Sequence, residues 1–225
     1  MNKSFIFTDV HGCGKELETL IQPFIGYDMY SLGDNFDRAF DGVKVWEIIH
    51  KYDVKCIMGN HEKKMLRFLK GEISWVPKHY YYFLREFDKK YKLKDLVQFL
   101  EKLPTIRTID SYVLVHAGIN VHAPTIAHES FNVYGRERHT IGDWWKTYEG
   151  NHTVIYGHIS HTEPYIRTNQ AGIVNSICID TSACRGNKLT GILLENTHKW
   201  SLHSVDSPDY YSDMNRLAIS RFPPK

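Results

Sequence analysis

Short apolar runs that alternate with amphipathic stretches constrain the fold of this chain more than any other feature. Residues 4–8, 28–32 and 54–58 are apolar runs of strand length, and polar residues or glycine follow each of them. Between them, residues 15–24 and 45–52 place apolar side chains at helical spacing. Strands that alternate with helices usually pair in parallel through right-handed crossovers. The first part of the chain therefore predicts an α/β fold.

The remainder of the chain predicts a second sheet. Residues 62–103 show no strand pattern and read as a helical insertion, which Pro104 closes. A hairpin is expected after it, followed by strands without long helices between them, at residues 105–109, 112–115, 153–156, 176–179, 189–194 and 199–204. We expect a β-sandwich of mixed sheets flanked by α-helices.

Length and charge limit the classes of protein. A chain of 225 residues suits one domain, which we place at 1–205, and the polar tail 206–225 is expected to be partly disordered from about residue 209. The net charge of +2 gives no reason to expect a nucleic-acid partner or a membrane surface. No apolar stretch approaches the ~20 residues that span a bilayer. The four cysteines include no C-x-x-C pair, so we expect reduced thiols and a cytoplasmic protein.

Polar clusters follow the predicted strands, beside glycines. In parallel sheets the carboxyl ends of strands share one edge, where ligands bind. The residues expected to meet there are Asp9, His11, Asp34, Asn60, His116 and His158. They supply oxygen and nitrogen ligands suited to divalent metals.

The spacing of these residues suggests two metal sites. Asp9 and His11 are two positions apart, so in an extended segment both point to the same side and grip one ion. Asp34 could offer one oxygen to each of two ions. Asn60, with the two later histidines, would complete the second site, and such a pair of metals activates water and clamps phosphoryl oxygens.

Further residues suit phosphoester hydrolysis. Arg38 and Arg136 would neutralise the phosphate oxygens through bidentate hydrogen bonds. His61 directly follows a ligand and suits protonation of the leaving oxygen, and Asp37 could hold its tautomer.

The ordered motifs D-x-H-G, G-D-x-x-D-R, G-N-H-E, H-A-G and G-H resemble those of the PPP-type metallophosphoesterases. The similarity runs over about 4–194 and is greatest to the compact bacterial and phage branch. It implies a β-sandwich with two divalent metals, often manganese, with iron or zinc as alternatives. It implies Asp9, His11 and Asp34 at the first metal, and four residues at the second, namely Asp34, Asn60, His116 and His158.

The same resemblance implies His61 and Asp37 as the acid pair and Arg38 as a phosphate contact. Arg136, two positions after an aromatic residue, matches the second phosphate arginine, and Arg138 is a rival. The chain departs from the family pattern at Ala39, after Gly157-His158, and in the late loop, where Ser182 and Asn187 replace glycines.

The leading functional expectation is a Ser/Thr protein phosphatase that works by direct attack of a metal-bridging hydroxide, with Mn²⁺ as the expected metal. Its substrate would be a phosphorylated protein or a small phosphoester. The alternatives are a symmetrical dinucleoside tetraphosphate hydrolase, a cyclic-nucleotide or RNA-end phosphodiesterase, and a non-catalytic metal-dependent binding module. A nucleotide substrate would need basic or aromatic groups beyond the metals, for which the insertion, Arg185 and Lys188 are candidates.

Simpler interpretations exist for single residues. Asp and Asn favour helix N-caps, and lone histidines are often core residues, so the metal interpretation depends on the ordered set. Glu62 is expected to fix a loop or begin a helix, and residues 80–83 to pack inside the insertion rather than stack a nucleobase. Cys13 is expected to be an inert small residue.

Overall fold

The structure, a computed structural model, describes residues 3–122, 129–135 and 143–221, without the side chains of residues 215 and 217–221. Two five-stranded sheets and flanking helices make up these residues. The expected sandwich of mixed sheets is confirmed.

The first sheet contains the N-terminal strands and the last two strands. Its members are β1 (Ser4–Phe7), β2 (Asp28–Ser31), β3 (Lys55–Cys56), β9 (Lys188–Leu194) and β10 (Trp200–Asp206), in the spatial order β10-β9-β1-β2-β3. Strands β1, β2 and β3 are parallel, and β9 runs antiparallel to β1. The parallel part of the sheet is the one that the strand–helix alternation predicts.

The second sheet is built from the middle of the chain. Its members are β4 (Ile106–Ile109), β5 (Tyr112–Val115), β6 (Thr153–Tyr156), β7 (Tyr165–Thr168) and β8 (Val174–Cys178), in the order β4-β5-β6-β8-β7. Strands β5, β6 and β8 are parallel, whereas β4 and β7 pair antiparallel at the two edges. The sequence gives no sign of β7, because this edge strand is mostly exposed and lacks a continuous apolar run.

Eight α-helices flank the sheets in the described residues. They are α1 (Gly14–Ile21), α2 (Gly42–Lys51), α3 (Asn60–Leu69), α4 (Lys78–Asp88), α5 (Leu93–Glu101), α6 (Glu129–Tyr134), α7 (Trp144–Thr147) and α8 (Tyr210–Arg221). Helices α3 to α5 form the expected insertion. The short helices α6 and α7 were not expected, because four to six residues are too few to show a helical period.

Aliphatic side chains between the sheets hold them face to face. Ile6 of β1, with Leu32 and Ile57 directly after β2 and β3, packs against Leu114 and Ile155 of the second sheet, and all five are fully buried. Burying each such side chain contributes roughly 1.5–3 kcal/mol. A second cluster packs helices α1 to α5 on the outer face of the first sheet. The carboxyl ends of parallel strands from both sheets are therefore fixed along one edge.

The C-terminal tail begins with the helix α8 (Tyr210–Arg221). Its partial disorder from about residue 209 stays a prediction. The Tyr210 hydroxyl donates to Glu16 Oε1 at 2.8 Å, and Met214 is buried. These contacts order the beginning of the tail, and its polar composition conceals them. Within the described part of the chain, no helix combines the length and apolar character needed to cross a membrane.

Candidate metal centre

Five loops deliver the candidate ligands to the shared edge of the sandwich. Asp9, Asp34 and Asn60 come after β1, β2 and β3, and His116 and His158 come after β5 and β6. Asp9, His116 and His158 lie within two residues of a strand end, and Asp34 and Asn60 lie three and four residues beyond theirs, so the chain needs no long connections to gather these side chains. The sequence-predicted ligands are thus brought together by strands of both sheets.

The loop backbones are unusual at the candidate ligands themselves. Glycines were expected to make the sharp turns, and Gly12 and Gly33 do have positive φ angles of +79° and +101°. Non-glycine site residues share this left-handed conformation, with φ of +50° at Asp9, +48° at His11, +56° at Asp34, +82° at Arg38 and +66° at His158. Each such residue costs of order 1–3 kcal/mol, which the surrounding structure must offset.

The first group of candidate ligands is Asp9, His11 and Asp34. His11 Nε2 lies 3.7 Å from Asp9 Oδ1 and 3.7 Å from Asp34 Oδ2. One ligand atom from each of the three residues lies within 4.8 Å of the others. All three side chains are buried. This is the set that the resemblance implies at the first metal.

The second group contains Asp34 again, with His116 and His158, whose ligand atoms also lie within 4.8 Å of one another. Asn60 Oδ1 joins it, 2.9 Å from both His116 Nε2 and His158 Nδ1. His116 Nδ1–H donates to the Leu32 carbonyl at 2.9 Å, so Nε2 carries a lone pair directed at Asn60 and Asp34. Acceptor atoms that converge without a hydrogen between them suit a bound cation.

Burial makes this arrangement costly without a counter-charge. It raises the pKa of Asp9 and Asp34 well above the usual range, and the charges of Asp180 and Glu62, respectively, add to the effect. Burial also lowers the pKa of His11 and so favours its neutral form. A neutral imidazole is a metal ligand and cannot neutralise a carboxylate. The donor set therefore fits divalent cations, with Asp34 shared between two sites.

The expected acid pair lies beside the first group. His61 Nδ1–H donates to Asp37 Oδ2 at 2.6 Å, which leaves Nε2 as the outward nitrogen. Arg38 Nη2–H donates to His61 Nε2 at 2.9 Å. The three residues thus form a chain of hydrogen bonds from a buried carboxylate to a guanidinium group at the edge of the site.

Asp37 is held as a carboxylate although it is fully buried. Burial alone would raise its pKa, but the charge of His61 and hydrogen bonds from His11, His61 and His79 outweigh this effect. The net pKa of Asp37 is well below its usual range. A permanently ionised Asp37 fixes the Nδ1–H tautomer of His61, so Nε2 is the nitrogen that takes up and releases a proton.

Several contacts at the site were not predicted from the sequence. Tyr80 stacks on His61 with ring centroids 5.5 Å apart and planes 10° apart, which agrees with packing rather than nucleobase binding. His79 Nε2 lies 3.1 Å from Asp37 Oδ2. Ser160 donates to Asp180 Oδ2 at 2.8 Å, next to Asp9. The aromatic run at 80–83 was the signal for Tyr80. Asp180 belongs to the late-loop motif of the family but was given no role, and no motif marks His79.

Glu62 has the loop-fixing role expected of it. Its carboxylate accepts the backbone N–H of Asp34 at 2.6 Å and that of Asn35 at 2.7 Å. It also lies in the first turn of α3, where the helix dipole favours an acid.

Arg136 is the residue predicted as the second phosphate arginine. Arg136 and its rival Arg138 both lie outside the described residues. In the late loop, Ser182, which stands where the family pattern has glycine, has a φ of +60° and so adopts the left-handed backbone that glycine favours.

Comparisons with known proteins agree with this geometry. A family model described as calcineurin-like phosphoesterase matches residues 3–191. The bis(5'-nucleosyl)-tetraphosphatase PrpE (asymmetrical) of Bacillus cereus strain B4264 is 28% identical over 224 residues, which cover 83% of this chain and 88% of the relative.

Two solved structures share the fold at low sequence identity. A metallophosphoesterase from Sphaerobacter thermophilus aligns with a TM-score of 0.61 at 13% identity, over 96% of this chain and 94% of the other. A protein serine/threonine phosphatase from Saccharomyces cerevisiae aligns with a TM-score of 0.60 at 16% identity, over 92% and 81% of the two chains. At these identities the likeness concerns the fold alone.

Proposed function

The chain belongs to the calcineurin-like phosphoesterase family and is a metal-dependent phosphoester hydrolase, and we propose that its substrates are dinucleoside tetraphosphates. The observation that carries this choice is the 28% identity to PrpE, a bis(5'-nucleosyl)-tetraphosphatase, over most of both chains. The phosphoprotein substrate expected from the sequence has support only from a fold-level likeness at 16% identity. It stays a prediction, and the experiment below compares it directly.

The proposed metal ligands follow the two groups of side chains. Asp9, His11 and Asp34 hold one cation, and a second cation takes four ligands, namely Asp34, Asn60, His116 and His158. The mixture of carboxylate, amide and imidazole ligands suits Mn²⁺, with iron or zinc as alternatives. When bound, such a metal pair supplies an activated water and neutralises charge on the phosphoryl oxygens.

The protein's own groups perform the remaining steps. Arg38 donates hydrogen bonds to the non-bridging oxygens of the reacting phosphoryl group. These oxygens compete with His61 Nε2 for the guanidinium group of Arg38. His61 Nε2, released from Arg38, carries a proton to the leaving oxygen. Asp37 keeps the ring oriented and stabilises the imidazolium that precedes this transfer.

The test compares kcat/KM of the Mn²⁺-loaded enzyme on diadenosine tetraphosphate and on a phosphoserine peptide. We expect a preference of at least a hundredfold for the tetraphosphate, or ~2.7 kcal/mol of transition-state discrimination. A similar preference for the peptide would overturn the proposal in favour of a protein phosphatase.

Product analysis decides the cleavage mode. Asymmetrical cleavage yields AMP and ATP, whereas symmetrical cleavage yields two molecules of ADP. Because the relative is named as asymmetrical, we expect AMP and ATP. Formation of ADP alone would support the symmetrical hydrolase that the sequence suggested as an alternative.

A further inference from the structure

A tyrosine ring of α8 is close to two arginines, one of which is Arg38 of the candidate site. The Tyr211 ring centroid is 5.9 Å from Arg38 Cζ and 5.1 Å from Arg185 Cζ. The two guanidinium carbons are therefore at most about 11 Å apart, and both are close to the same ring. This arrangement extends the positive charge of the site from Arg38 towards the late loop.

Contacts of α8 fix the position of that ring. The neighbouring Tyr210 donates to Glu16 at 2.8 Å, and Met214, one turn later, is 3% exposed. His79 of α4 meets the Tyr211 ring edge-on with centroids 6.4 Å apart. These contacts hold the Tyr211 ring in place. A cation–π contact between a guanidinium group and such a ring contributes about 0.5–1 kcal/mol at an exposed site.

Arg185 is exposed and is not paired with a carboxylate anywhere in the ranges that the structure describes. By contrast, Lys188, the other basic candidate of this loop, donates to Glu163 Oε1 at 2.6 Å. Arg185 ends a short 3₁₀ helix, Ala183–Arg185, and left-handed residues flank that helix on both sides. Its guanidinium is therefore available to an anionic ligand.

One acid limits this availability. Asp209 lies against the late loop, where a Cβ placed on Gly186 would be 3.1 Å from Asp209 Cβ. Hydrogen bonds from Ser212, with the charges of Arg216 and Arg185, hold the pKa of Asp209 below its usual range. An ionised Asp209 near Arg185 weakens the attraction of that arginine for a second anion.

We propose that Arg185, supported by the Tyr211 ring, binds the phosphate groups of a polyphosphate that lie beyond the reacting one. This assignment rests on the proposed function. Arg38 contacts the phosphoryl group under attack, and Arg185 contacts the next phosphates along the chain. Arginine suits this role because its planar guanidinium binds phosphate oxygens in pairs. Arg185 is thus a specificity-determining residue that favours polyphosphates over monoesters.

Inhibition of p-nitrophenyl phosphate hydrolysis tests the assignment without depending on the natural substrate. Inorganic tripolyphosphate and orthophosphate serve as inhibitors, with Mn²⁺ kept in molar excess. We expect Arg185→Gln to raise the Ki of tripolyphosphate about tenfold, because a hydrogen bond to a charged group is lost. The Ki of orthophosphate and the kcat should stay within about twofold.

Two further variants separate this effect from a general loss of charge or of structure. Arg216→Gln removes a positive charge from α8, the helix that bears Tyr211, at an 80% exposed side chain, so both Ki values should stay within about twofold of wild type. Asp209→Asn keeps a residue that caps a helix but removes the competing charge, and it should lower the Ki of tripolyphosphate.

The outcomes distinguish the two proposals. Equal effects of Arg185→Gln on both inhibitors, or an equal effect of Arg216→Gln, would overturn the role of Arg185. A larger loss for an acidic phosphopeptide than for tripolyphosphate would also overturn it, in favour of peptide recognition. If the wild type shows no preference for diadenosine tetraphosphate, only the proposed substrate fails, since the inhibition constants still test Arg185.

Discussion

Gly33 lies where the loops after β2 and β3 meet, and no room is left there for a side chain. A Cβ at Gly33 would lie 2.6 Å from the backbone N of Gly59, and the φ of Gly33 is +101°. Gly26 has nearly the same φ, +98°, but a Cβ there would meet nothing within 4 Å. The pair therefore separates backbone strain from steric overlap.

We expect Gly26→Ala to cost about 1–2 kcal/mol of stability, from the left-handed backbone alone. Gly33→Ala should cost at least ~1–3 kcal/mol more, because the added methyl group must displace backbone rather than a flexible side chain. Urea unfolding of both variants measures the difference. Equal losses would mean that the two loops can move apart freely.

Replacing His61 tests the proposed acid catalyst directly. His61→Ala should lower kcat on p-nitrophenyl phosphate by about 10²–10⁴-fold, because proton transfer to the leaving oxygen is lost. His198→Ala, at an exposed turn, is the control and should leave kcat unchanged. Elemental analysis should find unchanged metal content in both variants.

Two results would count against this role of His61. Near-normal turnover by His61→Ala would exclude it as the acid. Absence of turnover by the wild type with any divalent metal would instead favour the non-catalytic binding module.

Helix α3 connects the two candidate metal sites through its first turn. It presents Asn60 towards the second group and His61 towards Asp37, and its Glu62 holds the loop that bears Asp34. Glu62→Gln replaces one of two accepting oxygens with an NH₂ group that faces a backbone N–H. A residue that supports a ligand in this way typically changes metal affinity by about 10–100-fold.

We therefore expect Glu62→Gln to weaken Mn²⁺ binding by about 10–100-fold, as measured by calorimetric titration. Glu72→Gln, just beyond the end of α3 at an exposed position, is the matched control. Equal affinities in the two variants would show that Asp34 is held in place without the support of Glu62.

The elements that the sequence predicts well are those with a period that can be read locally. The parallel strands, the helical insertion and the placing of Asp9, Asp34 and Asn60 after strands all follow from apolar runs and their polar ends. The left-handed backbone of His11 and Asp34 could not be predicted, because both residue types adopt other conformations far more often. The contact of Tyr211 with Arg38 joins residues far apart in the chain, and no local pattern records it.

Buried carboxylates make the stability of the whole molecule depend on cations. Metal binding at a hundred times its Kd stabilises the folded state by about 2.7 kcal/mol. For a chain of this length, that energy corresponds to a rise in melting temperature of roughly 5–10 °C. Thermal unfolding with Mn²⁺ and with EDTA measures it, and identical melting temperatures would contradict a metal centre at Asp34.

Thermal unfolding repeated across pH tests how the buried carboxylates affect stability. Burial raises the pKa of Asp9 and Asp34 in the folded, metal-free chain. The folded state then binds more protons than the unfolded state between the unfolded pKa, about 3.9, and the raised value. Asp9 and Asp34 should therefore contribute a stability of the metal-free chain that falls as pH rises through that interval, whereas the buried neutral His11 contributes one that rises with pH up to about 6.5. Asp9→Asn removes part of the first contribution, so in the absence of Mn²⁺ the variant should lose less stability with rising pH than the wild type, and an equal or larger loss would contradict the argument.

The positive φ angles at the five candidate site residues have a consequence for anyone who would engineer this chain. Selection for heat resistance alone would reward glycine at these positions, since it relaxes the backbone while discarding a ligand or a phosphate contact. Variants obtained in this way would be more stable but would no longer hydrolyse phosphoesters. Raising the stability of this fold without loss of activity therefore means leaving those five positions unchanged and making substitutions away from the candidate site.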